Sequence, residues 1–439
     1  MAFPAAGFWL IVHMLCFLSA EPPKWFTRTV QRSISIEEAR ARVIAEAKAL
    51  PLEACPLEGA LGRALGEEII APHNVPPFDN SAMDGYAVRA VDTVDARPDK
   101  PVRLVISQTI PAGTVETRRI VEDQAAKIMT GASIPEGADS VIQQEVTEEK
   151  DGFVLVFEPA KRGKNIRKAG EDVMGGERVL KAGTVLRPPE IGLMASFGIP
   201  ELKVHRLPRV AILSTGSELV EVGKPLLPGQ IHNSNSYSLR ALCQQIGIEP
   251  TVLGIVIDDY EETKRLMLQG LEYDVLVTSG GVSVGEFDFI KDVQDELGVE
   301  RRLWGVAMKP GKPLAFGVRG QTLVFGLPGN PVSSMVSFEL FVRPAILRLM
   351  GYRQTTRPSY SAIISEDVSN PDGRVYVIRV RAWREGSMWH ISSTGAQGSG
   401  MLRSMVGANG LAFVPGGPRG TRAGEEVEFL LLHEDLQEP

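Results

Sequence analysis

Two lysines and a serine are the residues of this chain that could bind a small oxyanion. Lys309 and Lys312 flank a rigid Pro-Gly turn, so two point charges can face one anion. Ser333 follows Pro331 at the start of a predicted helix, where the helix dipole favours negative charge. These residue types and spacings predict an oxyanion-binding site.

Acidic residues are suited to hold a magnesium ion beside a phosphate group. Carboxylate oxygens are ligands that Mg²⁺ prefers, and the ion commonly binds substrate phosphates as well. The six histidines are scattered, and no pair of them has zinc-ligand spacing. The sequence therefore predicts Mg²⁺ acting on a phosphorylated substrate. The candidate metal ligands are Glu218, Asp258, Asp259 and Asp288.

A glycine-rich turn joins a strand to a helix within DVLVTSGGVSVGEFD, residues 274–288. At such a corner, free N–H groups and the helix dipole point toward an anion. The alternative is an ordinary turn followed by a solvated acidic helix start, and this stretch alone leaves both open. The candidate binding residues here are Ser279, Gly280, Gly281, Val282, Ser283 and Gly285.

The elements that must position these residues alternate between strands and helices from residue 208 to about residue 351. This alternation predicts a doubly wound, mostly parallel sheet, and ligands bind outside the carboxyl ends of such strands. The predicted strands are 210–214, 251–257, 274–278, 306–308 and 323–325, and the predicted helices are 237–246, 260–271, 288–297 and 332–350. Polar and glycine motifs follow all five strands, which predicts a ligand crevice. It adds Thr215, Gly216, Pro328, Gly329, Asn330 and Pro331 as candidates.

The rest of the sequence predicts three smaller domains beside this α/β domain, residues 207–351. A capping box at Ser35 and Glu38 starts a helix in a linker domain, residues 33–72 and 158–206. Short β-type runs predict an inserted mostly-β domain, residues 73–157, and a C-terminal β-barrel, residues 352–439. A polar loop, residues 74–89, enters the inserted domain, and a plain turn is the more common role of such a loop. Its candidates are Asp79, Asn80, Ser81 and Asp84.

Composition excludes several classes of protein. The chain has 439 residues, 44% of them hydrophobic, and a net charge of −7, so no general basic field suits nucleic acid. Three cysteines without CxxC spacing favour a reducing compartment. The sequence has no P-loop and no Rossmann glycine fingerprint that opens a helix after a strand.

The first 32 residues contain an apolar run, residues 5–20, with no Lys or Arg before it. A weak signal or anchor, an organelle-directing leader, and an extension without a role in the fold are the three interpretations. The cysteine usage favours the extension. We therefore expect a cytoplasmic protein without a firm membrane partner.

Taken together, the motifs resemble those of the molybdopterin molybdenumtransferases, the family of bacterial MoeA and of the E domains of gephyrin and its plant counterpart. The matching stretches run in order from about residue 33 to about residue 432. They are PPFDNSAMDGYAVR, AGEDV, STGSEL, TSGGVSVGEFDFIK, MKPGKP, LPGNPVSS and TGAQGSGMLRSM. The resemblance implies an elongated four-part subunit that forms a homodimer, with an α/β part similar to the adenylyltransferase MogA. The residues 1–32 are outside the family pattern.

The resemblance also implies an activity, which is the Mg²⁺-dependent insertion of molybdate into adenylated molybdopterin with release of AMP. Alternatives are the preceding step, adenylation of molybdopterin, and a non-catalytic dimeric scaffold of the gephyrin type. The adenylyltransferase of the same pathway is a further expected partner. Implied molybdate ligands are Lys309, Lys312, Ser333, Arg379 and Ser399, and Thr130 and Asp172 match further motif positions. The implied catalytic residues are Asp84, Glu218, Asp259, Asp288, Lys309 and Lys312.

Overall fold

The computed structural model describes residues 34–114, 118–257, 259–281 and 289–434, which form two compact units. The first unit contains the described residues up to Leu50 together with Leu207–Met350 and those from Gln354 onward. The second unit contains Pro51–Arg206 and Gly351–Arg353. The extension at residues 1–32 lies outside the described residues. Within the described part of the chain, no helix is long and apolar enough to cross a membrane.

The α/β part of the first unit has a six-stranded sheet with helices packed against it. Four strands are parallel because helical crossovers join them, and two more pair antiparallel at one edge. In spatial order the strands are Thr251–Val256, Val210–Thr215, Val275–Ser279, Thr322–Leu327, Ala315–Arg319 and Glu300–Trp304. The helices are Ser234–Gln244, Tyr260–Gly270, Phe289–Glu296 and Pro331–Ser337. The predicted doubly wound, mostly parallel sheet is confirmed.

One predicted strand of this sheet is wrong. Residues 306–308 do not join the α/β sheet; instead Met308–Lys309 pairs in parallel with Val375 and Tyr376 of the C-terminal sheet. The predicted sheet also lacked two strands, Glu300–Trp304 and Ala315–Arg319. Gly317 allows these two to approach, because a Cβ there would lie 2.9 Å from the Glu300 carbonyl oxygen.

The last helix of the α/β part consists of three consecutive helical segments. Pro331 occupies its first position, where the missing N–H costs nothing. Pro331–Ser337 continues as the π-helical segment Phe338–Val342 and then as Arg343–Leu349. The predicted helix 332–350 is confirmed apart from its ends.

The C-terminal region forms a closed β-barrel, as predicted. The strand Val375–Glu385 pairs with neighbours on both sides and closes the ring. Ile378, Val380 and Phe429 are completely buried in its core. The other barrel strands are Ser359–Ile364, Met388–Ser393, Gly410–Val414 and Glu426–Leu431. A short ladder, Val368–Asn370 with Gly417–Thr421, and the helix Arg403–Val406 complete the region.

The first described helix, Ile36–Glu46, belongs to the first unit. Its N-cap Ser35 accepts the Glu38 N–H at 3.1 Å, while the Glu38 carboxylate pairs with Arg42 instead of completing a reciprocal box. Ile36, Ala39 and Val43 are buried on one face of this helix. The helix therefore groups with the α/β part, whereas the sequence places it in the linker domain. The finer four-domain boundaries stay a prediction.

The second unit contains a six-stranded, mostly antiparallel sheet and a smaller core. In spatial order the sheet strands are Ser140–Gln143, Gly85–Val88, Gln124–Ile128, Val102–Ile110, Phe153–Val156 and Thr147–Lys150. The smaller core buries Leu65, Leu186 and Val204. Around it lie the paired strands Leu52–Pro56 with Glu201–His205 and Ile69–Ile70 with Arg178–Leu180, together with the helix Pro188–Ser196.

Candidate anion-binding site

A cleft of about 510 Å³ lies in the first unit between the lysine turn, the start of the last α/β helix and the barrel. The strand Met308–Lys309 pairs with the barrel strand that begins at Val375, so the lysine turn is joined directly to the barrel. None of the described residues that line the cleft is acidic. They are Met308, Lys309, Pro310, Gly311, Lys312, Pro313, Pro328, Asn330, Ser333, Arg374, Tyr376, Gln397, Gly398 and Ser399.

Three cations line this cleft, and two of them share a carboxylate. Lys309 Nζ lies 3.6 Å from Asp372 Oδ2 and 4.1 Å from the centre of the Tyr376 ring. Arg374 donates to the same Asp372 oxygen at 2.6 Å. Lys312 is exposed and makes no ion pair among the described residues. The sequence identified Lys309 and Lys312, and it missed Arg374 and Tyr376.

Two of the predicted serines meet at this cleft. Ser333 is in the first turn of Pro331–Ser337 and is 3% exposed. Ser399 is half-buried in the barrel loop, and its carbonyl oxygen accepts the Val332 N–H at 3.1 Å. This bond fixes the barrel loop against the helix start. Polar groups from two distant parts of the sequence therefore face one space, as predicted.

Arg379 is placed behind the cleft lining rather than in it. Its guanidinium is completely buried and donates to Ser404 Oγ at 3.1 Å and to the Gly398 carbonyl oxygen at 3.2 Å. Burial lowers the pKa of this arginine. Two of its three acceptors belong to the segment that carries Ser399, and the third is the Val377 carbonyl oxygen of its own strand at 3.5 Å. The position gives Arg379 the role of holding that loop, in place of the direct anion contact that the resemblance implies.

The predicted glycine corner is a tight meeting of neighbouring strand ends. Gly280 has φ +96°, and a Cβ there would lie 2.4 Å from the Thr215 carbonyl oxygen. A Cβ at Gly329 would lie 3.6 Å from the Gly280 Cα. Only glycine tolerates this conformation and this approach together. The corner thus brings Thr215, Gly280 and Gly329 together, as the sequence predicts.

A buried amide fixes two turns of that corner, and the sequence analysis missed it. Asn235 Nδ2 donates to Ser279 Oγ and to the Gly329 carbonyl oxygen, both at 2.8 Å. Next to it, Asn233 caps the helix Ser234–Gln244 by accepting the Ser236 N–H. The polar run NSNS at residues 233–236 was the available signal, because such residues at a helix start make local hydrogen bonds.

The described acidic candidates lie at the same edge of the sheet and are exposed. Glu218 follows Gly216, where φ is +150° and an added Cβ would lie 2.5 Å from Glu218 Oε2. Asp259 caps the helix Tyr260–Gly270 by accepting the Glu262 N–H at 2.8 Å. In the described ranges no group of three His, Cys, Asp or Glu residues is arranged to hold a metal ion. The remaining candidates Asp258, Val282, Ser283, Gly285 and Asp288 lie outside the described residues.

In the second unit, the predicted polar loop is fixed by its acids. Asp79 accepts from Lys168 Nζ at 2.6 Å and from the Ala169 N–H at 2.9 Å, and these bonds lower its pKa. Asp84 accepts from the N–H and the hydroxyl of Thr130, both at 2.7 Å, and these bonds lower its pKa as well. The loop is therefore a shaped structure that carries ionised carboxylates.

The other candidates of this loop are less available. Ser81 is fully buried and donates to the Met83 carbonyl oxygen at 2.6 Å, and Asn80 is 7% exposed. Asp172 is exposed, and its N–H donates to the Val75 carbonyl oxygen at 3.0 Å. The segment around Asp172 therefore runs beside the start of the loop. Ser81 and Asn80 shape the loop more than they present groups to a ligand.

Solved structures define the class to which this fold belongs. Two structures of the molybdopterin biosynthesis MoeA protein from Pyrococcus horikoshii each match with a TM-score of 0.76. Their identities are 35% and 32%, and they cover 92% and 91% of this chain and 100% of the solved chains. The fold is thus that of a MoeA-type protein of molybdopterin biosynthesis.

Sequence relatives narrow this class to one family. Family profiles match residues 34–198 as "MoeA N-terminal region (domain I and II)", 211–348 as "Probable molybdopterin binding domain" and 361–432 as "MoeA C-terminal region (domain IV)". The molybdopterin molybdenumtransferase of Haemophilus influenzae is 40% identical over 86% of this chain and 93% of its own length. That of Bacillus subtilis is 37% identical over 92% and 95%. The chain belongs to the molybdopterin molybdenumtransferases, enzymes of molybdenum cofactor biosynthesis.

Proposed function

We propose that this enzyme transfers molybdenum from molybdate to adenylated molybdopterin and releases AMP, with Mg²⁺ as its metal. The observation that carries the proposal is the cleft in which Lys309, Lys312, Ser333 and Ser399 converge. Molybdate is a tetrahedral dianion, and lysine ammonium groups and serine hydroxyls are donors suited to its oxygens. Arg379 supports this set from behind by holding the loop of Ser399.

The glycine corner is the proposed place for the phosphate of the adenylated substrate. Gly280 and Gly281 both have positive φ, and backbone N–H groups in such turns form anion-binding concavities. The Gly280 N–H donates to the Leu327 carbonyl oxygen at 3.0 Å, so the Gly281 N–H would be the donor to the phosphate.

Asn235 holds the Ser279 and Gly329 turns together, which keeps the corner fixed before the substrate arrives. The corner follows a strand of the α/β sheet and the lysine turn follows Met308–Lys309, which pairs with the barrel, so the α/β sheet and the barrel of the first unit would bind the reacting groups between them.

The described carboxylates are suited to a Mg²⁺ ion that also binds a substrate phosphate. The ion keeps several waters and commonly takes one or two protein carboxylates together with substrate phosphates. Glu218 is exposed beside the corner, and Asp259 uses one carboxylate oxygen as a helix cap. These two would hold the ion, together with Asp258 and Asp288 of the undescribed segments. Bound Mg²⁺ would supply neutralisation of the negative charge on the substrate phosphate.

We further propose a cytoplasmic homodimer that receives its substrate from the adenylyltransferase of the same pathway. The second-unit loop with Asp79 and Asp84 would then act on substrate bound to the partner subunit. Support comes from the ionised carboxylates of Asp79 and Asp84, which hydrogen bonds hold in fixed positions on this loop. Sedimentation of the purified protein at several concentrations tests the dimer: a monomer throughout would contradict it.

The deciding experiment is a defined assay with adenylated molybdopterin, molybdate and Mg²⁺ but without ATP. It measures AMP release and activation of a molybdenum-free apoenzyme. Both signals are expected, and both should disappear when molybdate or Mg²⁺ is omitted. AMP release without activation would contradict insertion. A requirement for ATP would favour adenylation, and a folded dimer without either signal would favour a scaffold.

A further inference from the structure

The carboxylate of Asp372 lies beside the anion cleft without lining it. Its Oδ2 is within 3.6 Å of Lys309 Nζ and accepts from the Arg374 guanidinium at 2.6 Å. Its Oδ1 accepts the Arg374 N–H at 3.1 Å. One acidic side chain therefore pairs with two of the three cations that face the cleft. The proposed reaction gives this side chain no role.

The two pairs differ in strength. The bond to Arg374 is short and reinforced by the backbone N–H two residues away, so Asp372 and Arg374 form one local unit. This pairing, with the weaker attraction of Lys309, lowers the pKa of Asp372, so the carboxylate is ionised near neutral pH. The contact with Lys309 is longer, and the ammonium also lies over the Tyr376 ring. Lys309 is thus the cation that an entering anion can draw away.

The net charge of the cleft indicates what the contact between Asp372 and Lys309 does. The cleft has three cations, Lys309, Lys312 and Arg374, and one adjacent anion, so its formal charge is three minus one, or +2. That value is equal in magnitude and opposite in sign to the charge of a divalent oxyanion. An uncompensated +3 cleft would bind such an anion more tightly in the ground state, and tighter ground-state binding of a reactant does not speed its reaction.

We infer that Asp372 is a built-in counter-ion that limits the affinity of the cleft for divalent oxyanions by competing with them for Lys309. The inference rests on the proposed oxyanion cleft and deepens it. Asp372 acts through Lys309 and Arg374, so it determines specificity without touching the substrate. Its removal should strengthen anion binding, whereas removal of an anion ligand should weaken it.

The test compares two tetrahedral oxyanions of similar size and different charge, tungstate with two charges and perrhenate with one. Both are titrated by calorimetry into the full-length wild-type protein, Asp372→Asn and Asp372→Glu. Because Coulomb energy scales with the charge of the ligand, the factor gained by tungstate should be the square of that gained by perrhenate. We expect tungstate to bind Asp372→Asn roughly threefold to tenfold more tightly at low salt. Asp372→Glu should remain near wild type.

Glu385→Gln is the matched control, since it makes the same charge change at the far end of the strand that follows Asp372. Val375–Glu385 has 11 residues, which places Glu385 roughly 30 Å from the strand start near Asp372. That is several times the distance from Asp372 to Lys309, so the effect on the cleft is weak even at low salt. This control should change neither titration. Should Asp372→Asn fail to fold by circular dichroism, Asp372→Ser makes the same charge change and is titrated in its place.

Several outcomes would overturn the inference. Equal changes for tungstate and perrhenate would indicate altered shape rather than altered charge. Weaker binding in Asp372→Asn, restored in Asp372→Glu, would show that Asp372 mainly holds Arg374 in place. If wild type binds both anions and Asp372→Asn matches it, only this inference fails. If wild type binds neither anion, or if Lys312→Gln binds both as wild type does, the proposed oxyanion cleft fails and takes the inference with it.

Discussion

Individual hydrogen bonds lower the pKa values of the two aspartates in the second-unit loop. For Asp79, the bond from Lys168 is the largest cause of its lowered pKa, and for Asp84 it is the bond from the Thr130 N–H. A carboxyl group with a lowered folded-state pKa stabilises the fold above its unfolded-state pKa. That contribution is lost as the pH falls through the folded-state pKa. The pH window for both acids therefore lies below about pH 4.

Lys168→Gln should raise the pKa of Asp79 toward its ordinary value of 3.8 and leave that of Asp84 unchanged. Thr130→Val should raise the pKa of Asp84 only in part, because the Thr130 N–H remains a donor. Each variant is the control for the other. Carbon-detected NMR titration of the aspartate carboxyl groups measures both values, and a shift of both acids in either variant would contradict local control.

Lys312 is the most exposed cation of the cleft, and its charge should matter more than its packing. We expect Lys312→Gln to weaken molybdate binding by about tenfold at low salt, since a unit charge is removed within reach of a dianion. Stability should change little. Lys48→Gln changes an exposed lysine that does not line the cleft and should leave binding as it is. Calorimetric titration decides, and equal effects of the two variants would contradict a specific role.

The sequence predicted which residue types belong to the cleft better than it predicted where their side chains point. Lys309 and Lys312 flank a proline-glycine turn, and that local geometry is visible in the sequence. Arg379 lies between Ile378 and Val380, whose side chains enter the barrel core, so its own side chain points to the opposite face. There the loop carrying Gly398 covers it. Coverage by a distant loop is a tertiary contact, which no local pattern encodes.

At the scale of the element, the glycine corner can be tested by adding one methyl group. Gly280 and Gly223 have φ of +96° and +92°, but a Cβ meets the Thr215 carbonyl oxygen at Gly280 and nothing within 4 Å at Gly223. Gly223→Ala should cost about 1–2 kcal/mol from its backbone conformation alone. Gly280→Ala carries the overlap in addition and should cost clearly more.

Urea unfolding measures both glycine variants, and the assay for AMP release measures their activity. Loss of activity is expected for Gly280→Ala at temperatures where it remains folded, because the corner must widen to admit the methyl group. Gly223→Ala should keep its activity. Equal free energies of unfolding for the two variants would show that the corner accommodates the added methyl group without loss of stability.

The barrel loop gives a second prediction at this scale. Arg379→Met removes the donors to Ser404 Oγ and the Gly398 carbonyl oxygen, and the loss of a hydrogen bond from a charged group costs about 1.5–3 kcal/mol. We expect lower stability together with weaker molybdate binding, since the loop also carries Ser399. Arg384→Met, exposed on the same strand and stacked on Trp389, should cost less than about 1 kcal/mol. Unchanged molybdate affinity in Arg379→Met would contradict the supporting role.

The strands that the sequence missed differ physically from those it predicted. Val275–Ser279 is buried along its whole length, and such apolar runs between turns are easily recognised. Glu300–Trp304 has the sequence ERRLW, in which only Leu303 is buried. It is an edge strand, and edge strands carry charges that discourage pairing with other chains. Its polarity is therefore a consequence of its place in the sheet, which is decided only when the sheet forms.

At the scale of the whole first unit, a buried charge cluster joins the α/β part to the barrel. Glu339 is 6% exposed in the π-helical segment, accepts from Arg357, and lies 3.7 Å from Arg343. Arg357 also donates to the Leu432 carbonyl oxygen at 2.6 Å, at the end of the last barrel strand. The helix that begins beside Ser333 is thereby fixed to the barrel that carries Ser399. The two walls of the cleft depend on this connection.

Breaking this cluster should weaken the fold and the cleft together. Glu339→Gln leaves two half-buried guanidinium groups without their buried carboxylate, which should cost up to about 3–5 kcal/mol, the value for breaking a fully buried pair. Molybdate binding should also weaken, although Glu339 does not line the cleft. Glu426→Gln, which removes an exposed carboxylate bonded to Ser361 on the barrel surface, should cost less than about 1 kcal/mol.

A double-mutant cycle of Glu339→Gln and Arg357→Gln separates the pair from its surroundings. If the two residues act as one unit, the second substitution should add little to the free-energy loss of the first. Fully additive losses in urea unfolding would show that the residues act independently. Normal molybdate binding in these variants would further mean that two other direct links between the parts are enough to hold the cleft. They are the pairing of the lysine turn with Val375 and Tyr376 and the bond from the Val332 N–H to the Ser399 carbonyl oxygen.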